Sequence, residues 1–187
     1  YTFWAITTKK IDIVFLLWWP DIVGKNVLNS ATIGFVNLHP GMLPYNRGMH
    51  PYYWSIVEGT PAGVSIHFID EKVDAGKLLC QKQIEITPVM TGEKLYDIAQ
   101  LEIMKLFKEK YDDIVGLDIV PITVNADEGT FHLRKEISKH SCIDLVSTYK
   151  AEDLLNVVRA RTFHHGESAY FYKAGKKYWV RVSIEEA

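Results

Sequence analysis

Ile33-Gly34-Phe35-Val36-Asn37-Leu38-His39-Pro40-Gly41-Met42-Leu43-Pro44-Tyr45-Asn46-Arg47-Gly48 is the stretch on which the fold turns. Its first six residues form a short apolar run interrupted only by Asn37. Such a run suits a strand covered on both faces, as in a parallel sheet. From His39 to Gly48, two prolines and two glycines fall within ten residues. That density of backbone punctuation defines a rigid loop rather than an element. Upstream, Ile11-Asp12-Ile13-Val14-Phe15-Leu16-Leu17 is another continuous apolar run, closed by a Trp18-Trp19-Pro20 turn. Asp21 to Ser30, between the two runs, has the length of a short crossover helix.

Downstream of the loop, His50 to Glu58 reads as a helix stopped by Gly59. Val64, Ile66 and Phe68 alternate with Ser65 and His67, which predicts a strand with one drier face. Lys77 to Thr87 reads as its neighbour, so residues 70–76 (Asp-Glu-Lys-Val-Asp-Ala-Gly) form the tip between them. Thr91 to Asp113 is the clearest helix. Thr91 is placed to cap it, Glu93 complements the first-turn dipole, and Leu95, Ala99, Ile103, Leu106 and Phe107 share one face. From Gly116 to Cys142 the pattern is mixed. Glu152 to Arg161 is a short amphipathic helix, and Tyr170-Phe171-Tyr172 with Tyr178-Trp179-Val180-Arg181-Val182 flank a turn at Lys173–Lys176, a hairpin. The shift in composition near Gly116 divides the chain into a core, 1–115, and a C-terminal module, 116–187.

The whole chain has 187 residues, 48% of them apolar and 24% charged, which is enough to bury a core and unlike a disordered composition. A net charge of −2 argues against electrostatic capture of nucleic acid or an anionic membrane. The run from Ile11 to Val23 contains Asp12, Pro20 and Asp21 and is too short and interrupted for a membrane span. Cys80 and Cys142 are too few for a disulfide scaffold or a four-ligand zinc site and read as reduced thiols. A cytoplasmic protein is the expectation.

Asn37 and His39 stand two apart at the end of a strand, so their side chains project on one face. That position, the carboxyl end of a sheet strand, is where ligand sites of α/β proteins gather. An amide donor beside an imidazole can stabilise an oxyanion and move a proton. The alternative is that Asn37 caps a turn and His39 packs in the loop. Asp74, in Val73-Asp74-Ala75-Gly76, would complete the set with a carboxylate; it is otherwise an ordinary turn aspartate. No ligand spacing among the histidines supports a metal site.

Asn-Leu-His-Pro at 37–40, then Leu43-Pro44, Arg47-Gly48 and Val73-Asp74-Ala75-Gly76, resemble the motifs of the formyltransferase family over residues ~11–113. Its members include methionyl-tRNA, glycinamide ribonucleotide and sugar N-formyltransferases. The resemblance implies a Rossmann-like parallel or mixed sheet flanked by helices, with a small C-terminal helix and β-hairpin module. It places the family's catalytic Asn, His and Asp on Asn37, His39 and Asp74. It also implies N10-formyltetrahydrofolate as cosubstrate and an amine as acceptor, with no metal. His39, protonated or hydrogen-bonded, and the Asn37 amide would stabilise the oxyanion. Asp74 would raise the His39 pKa and help remove the amine proton. Gly41 departs from the Ser or small polar residue usual in the family and is expected to make the loop more pliable.

The loop Tyr45-Asn46-Arg47-Gly48-Met49-His50-Pro51, with Trp54, looks most like the branch that formylates nucleotide-linked (dTDP or UDP) 4-amino-4,6-dideoxy sugars. On that resemblance Tyr45, Arg47 and His50 face the substrate. Trp18, Trp19 and Pro20, with Asp70 and Val73, face the pterin. Arg159 and Arg161 are candidates to reach a phosphate, or are cations favoured at a helix C-terminus. The tryptophans fit core packing equally well. Other acceptors, a ribonucleotide amine or an aminoacylated tRNA, stay open, as does a module that only binds folate or nucleotide. The expected partners are small molecules and a second copy of the chain, without nucleic acid or membrane. One strand before Asn37 is fewer than the family has, so the first strands are expected to be missing, leaving Ile11–Leu17 with an unpaired edge or paired to another copy.

Overall fold

Strands β1 (Ile11–Leu16) and β2 (Ala31–His39) pair in parallel, with Val14 opposite Phe35 and Leu16 opposite Asn37. They belong to a computed structural model that describes residues 11–17, 19 and 21–187. The one-turn helix α1 (Lys25–Leu28) crosses between them. β2 continues antiparallel to β4 (Ala62–Phe68), which is antiparallel to β5 (Leu78–Ile84), giving the order β1-β2-β4-β5. The sheet is therefore mixed, as expected. Among the described residues β1 has a strand on one side only.

Side-chain alternation divides the sheet into two faces. Val36, Leu38, Val64 and Ile66 point to one face, where α2 (Pro51–Glu58) and α3 (Gly92–Val115) bury Tyr53, Ile56, Leu95, Ile103 and Leu106 against them. α3 starts where Thr91 caps it, its Oγ1 accepting from the Lys94 N–H at 3.3 Å. Phe35 points to the opposite face, into a smaller cluster with Leu16 and Val23. Asn37, His39, Ser65 and His67 share that second face by register, Asn37 opposite His67 and His39 opposite Ser65. The expected drier face of β4 is half the story, since Ser65 and His67 are as buried as their apolar neighbours.

Two regions read as irregular contain structure. Arg47–Gly48 of the proline-rich loop is a short strand, β3, in parallel pairing with β6 (Phe131–His132). The mixed stretch holds a 3-10 turn (Ala126–Glu128), β6, and the short helix α4 (Glu136–His140). Neither strand could be recognised locally, because each is two residues long and exists only through its distant partner. Then follow α5 (Ala151–Ala160) and the hairpin β7 (Ala169–Lys173) and β8 (Lys176–Val180). Positive φ at both Ala174 (49°) and Gly175 (74°) makes its turn the type whose twist matches the strands. No helix among the described residues is long and apolar enough to cross a membrane.

Candidate active site

The carboxyl end of β2 delivers Asn37 and His39, and β4 delivers His67 beside them. The fourth group arrives from the β4–β5 tip. There Asp74 takes a left-handed conformation (φ 48°) and Gly76 passes so close to β4 that a Cβ would lie 1.9 Å from the Phe68 carbonyl oxygen. This tight return points the Asp74 carboxylate back over the sheet. Its Oδ2 accepts from the Gly48 N–H at 2.9 Å and lies 3.5 Å from His39 Nδ1. Its Oδ1 lies 3.4 Å from both Asn37 Nδ2 and His67 Nε2, which are themselves 3.4 Å apart. His67 is fixed from behind, Nδ1 donating to the Phe68 carbonyl at 2.8 Å.

His39 and His67 are 4% and 1% exposed, and this burial decides the charge states. For His39, burial is the largest influence and disfavours the cation. Asp74 opposes it and the neighbouring His67 reinforces it, so the His39 pKa falls below its ordinary value of 6.5. Asp74 does raise the His39 pKa, as expected, but the desolvation outweighs the carboxylate. Burial alone would raise the Asp74 pKa. The His39 and His67 imidazoles and the Gly48 N–H override it and hold the carboxyl well below the carboxylate range. At neutral pH the centre is a neutral His39 imidazole against an ionised Asp74.

The loop carrying His39 is tied down. Ser65 Oγ donates to the Gly41 carbonyl at 2.6 Å and accepts from the Leu43 N–H at 3.1 Å, and Gln81 Nε2 donates to the Leu43 carbonyl at 2.7 Å. Gly41 serves proximity here, not pliability. A Cβ on it would stand 2.5 Å from His39 Nε2 and 2.9 Å from Pro51 Cβ, so the imidazole lies directly against bare backbone.

The four groups line a cleft of about 830 Å³. Trp19, Val23, Ile69, Asp70 and Val73 line it too, as do His50, Tyr52, Tyr96, Phe163 and Arg134. Tyr52 packs edge-on against Tyr96 and Phe163, each at 5.5 Å between centroids, and His50 Nδ1 is 3.0 Å from the Tyr52 hydroxyl. Burial, with Arg161 and Arg134 nearby, pushes the His50 pKa down to about 4.

Of the residues singled out in the sequence, Asn37, His39 and Asp74 come together. Trp19, Asp70, Val73 and His50 line the cleft, while Trp18 and Pro20 lie outside the described residues. Tyr45, Arg47, Arg159 and Arg161 do not line it. Arg47 donates to the Ala126 carbonyl at 3.2 Å and stacks over Phe131. Arg159 donates to the Thr87 and Met90 carbonyls at 3.1 and 2.9 Å, and Arg161 pairs with Glu167 at 2.9 Å. Sequence reasoning missed His67, Arg134 and the ring cluster Tyr52–Tyr96–Phe163. The alternation of β4 had signalled His67, by placing it on the polar face.

A buried carboxylate, imidazole and amide at the carboxyl edge of a mixed α/β sheet, lining one cleft, have the groups that acid–base chemistry needs. Residues 4–110 match the family described as Formyl transferase, and residues 136–186 the N-formyltransferase dimerization C-terminal domain. The chain belongs to the formyltransferase family. It is 32% identical over 151 residues to dTDP-4-amino-4,6-dideoxyglucose formyltransferase of Mycobacterium tuberculosis, covering 80% of this chain and 64% of that one. It is 31% identical over 174 residues to methionyl-tRNA formyltransferase of a Geobacillus species, covering 91% and 52%. The chain thus spans less than two thirds of these relatives' own lengths. A 4-N formyltransferase from Francisella tularensis superposes with a TM-score of 0.87 at 28% identity, over 94% of this chain and 72% of that one. A formyltransferase from Anoxybacillus kamchatkensis, in complex with UDP-4,6-dideoxy-4-formamido-L-AltNAc and tetrahydrofolate, superposes with 0.62 at 28%, over 70% and 67%.

Proposed function

We propose that the chain transfers a formyl group from N10-formyltetrahydrofolate to the amine of a nucleotide-linked 4-amino-4,6-dideoxy sugar. The observation that carries this is the buried His39, its Nδ1 3.5 Å from Asp74 Oδ2, with Asn37 Nδ2 3.4 Å from the same carboxylate, in one cleft lined by both aromatic rings and charged groups. The sugar-nucleotide acceptors of its relatives support the substrate class.

The folate would supply an activated formyl carbon and a leaving nitrogen. Trp19, Ile69, Asp70 and Val73 make an apolar wall with one carboxylate, which suits a flat heterocycle with polar edges. In the same cleft the Tyr52, Tyr96 and Phe163 rings offer a stacking surface for a base. Arg134, which makes no ion pair among the described residues, offers charge to a diphosphate. Asn37 Nδ2 is held by contacts of 3.4 Å only, so it is free to re-aim its N–H at the oxygen on which charge collects. His39 accepts the proton that the amine releases on attack and returns it to the leaving nitrogen. Asp74 stabilises the imidazolium between those two steps. On this reading His39, first expected to stabilise the oxyanion with Asn37, takes the proton that Asp74 was expected to help remove.

The reading extends to the whole molecule. The chain divides into a catalytic core, 1–115, and a C-terminal module, 116–187. Tyr172, Tyr178 and Trp179 of the exposed hairpin support a homodimer through that module. Unpaired Cys80 and Cys142 suit a reducing cytoplasm. The test is release of tetrahydrofolate from N10-formyltetrahydrofolate with dTDP- and UDP-linked 4-amino-4,6-dideoxy sugars, run beside glycinamide ribonucleotide and methionyl-tRNA. Turnover confined to either of the last two refutes the sugar acceptor. Calorimetric binding without turnover on any acceptor refutes the enzyme.

A further inference from the structure

Asn46 is fully buried, takes a left-handed conformation (φ 55°), and lines no part of the cleft. Its side-chain amide and its backbone N–H all face partners of opposite role. Nδ2 donates to Ser55 Oγ and to Thr60 Oγ1, both at 2.8 Å. Its backbone N–H donates to Thr130 Oγ1 at 2.8 Å, and the same hydroxyl donates back to Asn46 Oδ1 at 2.9 Å. One hydroxyl thus closes a two-way link across 84 residues of chain.

The link opens a ladder that ends at the acid–base centre. Arg47 N–H donates to the Thr130 carbonyl and Met49 N–H to the His132 carbonyl, both at 3.0 Å, so β3 lies in register on β6. Between those two rungs stands Gly48, whose N–H is turned the other way and donates to Asp74 Oδ2 at 2.9 Å. The docking is close: a Cβ on Gly129 would fall 1.9 Å from the Pro44 carbonyl oxygen. The docked residues, 129–132, lie outside both stretches that match the family.

We propose that Thr130 is a positioning residue, whose reciprocal bonds to Asn46 set the aim of the Gly48 N–H at the Asp74 carboxylate. Thr130 touches no reacting atom. It acts by fixing the backbone of β3, and a rotation of that backbone moves the single short hydrogen bond that Asp74 receives from it. Every other contact of Asp74 at the centre is 3.4 Å or longer, so this one carries most of its orientation. The proposal rests on the formyl-transfer reading for its kinetic consequence, but not for its structural one.

Thr130→Val keeps the branched shape and removes the hydroxyl, while Thr130→Ser keeps the hydroxyl. Two readouts separate positioning from stability. In Thr130→Val, kcat is expected to fall about tenfold or more with KM for both substrates within about twofold, because misaiming costs rate rather than binding. The Gly48 amide, followed by NMR, is expected to lose its protection from solvent exchange by a similar factor. Thr130→Ser is expected to restore both. If Thr130→Val does not fold, Thr130→Ala is read in its place. Wild-type exchange at Gly48 in the hydroxyl-free variant overturns the proposal, whatever happens to kcat. A wild-type protein without formyl transfer, whose Gly48 protection still depends on Thr130, overturns the proposed function and leaves this linkage standing.

Discussion

Gly41→Ala adds one methyl group at the most crowded point of the centre. The new Cβ would sit 2.5 Å from His39 Nε2, where ordinary contact begins at 3.4 Å, and 2.9 Å from Pro51 Cβ. Gly41 is fixed by the 2.6 Å bond from Ser65 to its carbonyl, and Pro51 opens helix α2, so neither is free to retreat. The imidazole must therefore move by about 0.9 Å. A displacement of that order at a reacting group costs about 100-fold in rate, equivalent to about 2.7 kcal/mol. The expected result is a kcat lowered about 100-fold, KM for the folate little changed, and a melting temperature within a few degrees of wild type. The assay is the initial rate of tetrahydrofolate release at saturating acceptor, with thermal unfolding recorded on the same preparations. Gly41→Ala with kcat within about threefold of wild type would falsify the placement of His39 against this backbone.

Asp74→Asn keeps the shape of the acid and removes its charge. The imidazolium formed in turnover then lacks a counter-ion, and kcat is expected to fall about 100-fold to 10,000-fold. The same change removes the influence that raises the His39 pKa, so the acidic limb of the pH profile, already below 6.5 in wild type, moves further down. A limb that moves up contradicts His39 as the base. Stability should also fall with acid. His39 and His50 have folded pKa values below the unfolded 6.5, and Asp74 lies below 3.8. The unfolded chain therefore binds more protons than the folded one as pH drops through those windows, and the melting temperature should decline from about pH 6.5 through about pH 4; a flat profile rejects the buried neutral state of these groups. Arg159→Met should lose about 1–3 kcal/mol in urea unfolding, from the orphaned Thr87 and Met90 carbonyls, with kcat/KM within about twofold. A selective loss of acceptor affinity would instead return Arg159 to the substrate.

The fold was legible where the signal is local. The apolar runs of β1 and β2, the Thr91 cap and amphipathic face of α3, and the Ala174-Gly175 turn each declare themselves within a few residues. β3 and β6 do not, because two residues have no periodicity and the pair forms only when residues 129–132 dock on the proline-rich loop. The arginines illustrate the same limit. The setting of Arg159 at the end of a helix fits a phosphate ligand and a carbonyl clamp alike. Only the return of the Thr87–Met90 turn to that helix supplies the two carbonyls that the guanidinium meets.

The convergence of Asn37, His39 and Asp74 was readable from the sequence, but their ionisation was not. Proximity of a carboxylate argues for a raised imidazole pKa, and sequence supplies proximity through motif spacing. Burial argues the other way, and it depends on elements that the spacing does not mention: bare backbone at Gly41, Pro51 at the start of α2, and His67 delivered by an antiparallel register. A neutral imidazole can take a proton, whereas a cation can only give one. The packing that desolvates His39 therefore does more than shelter the reaction. On the proposed reading it makes His39 the group that begins as the base, and it leaves Asp74, anchored by Gly48, to stabilise the charge that follows.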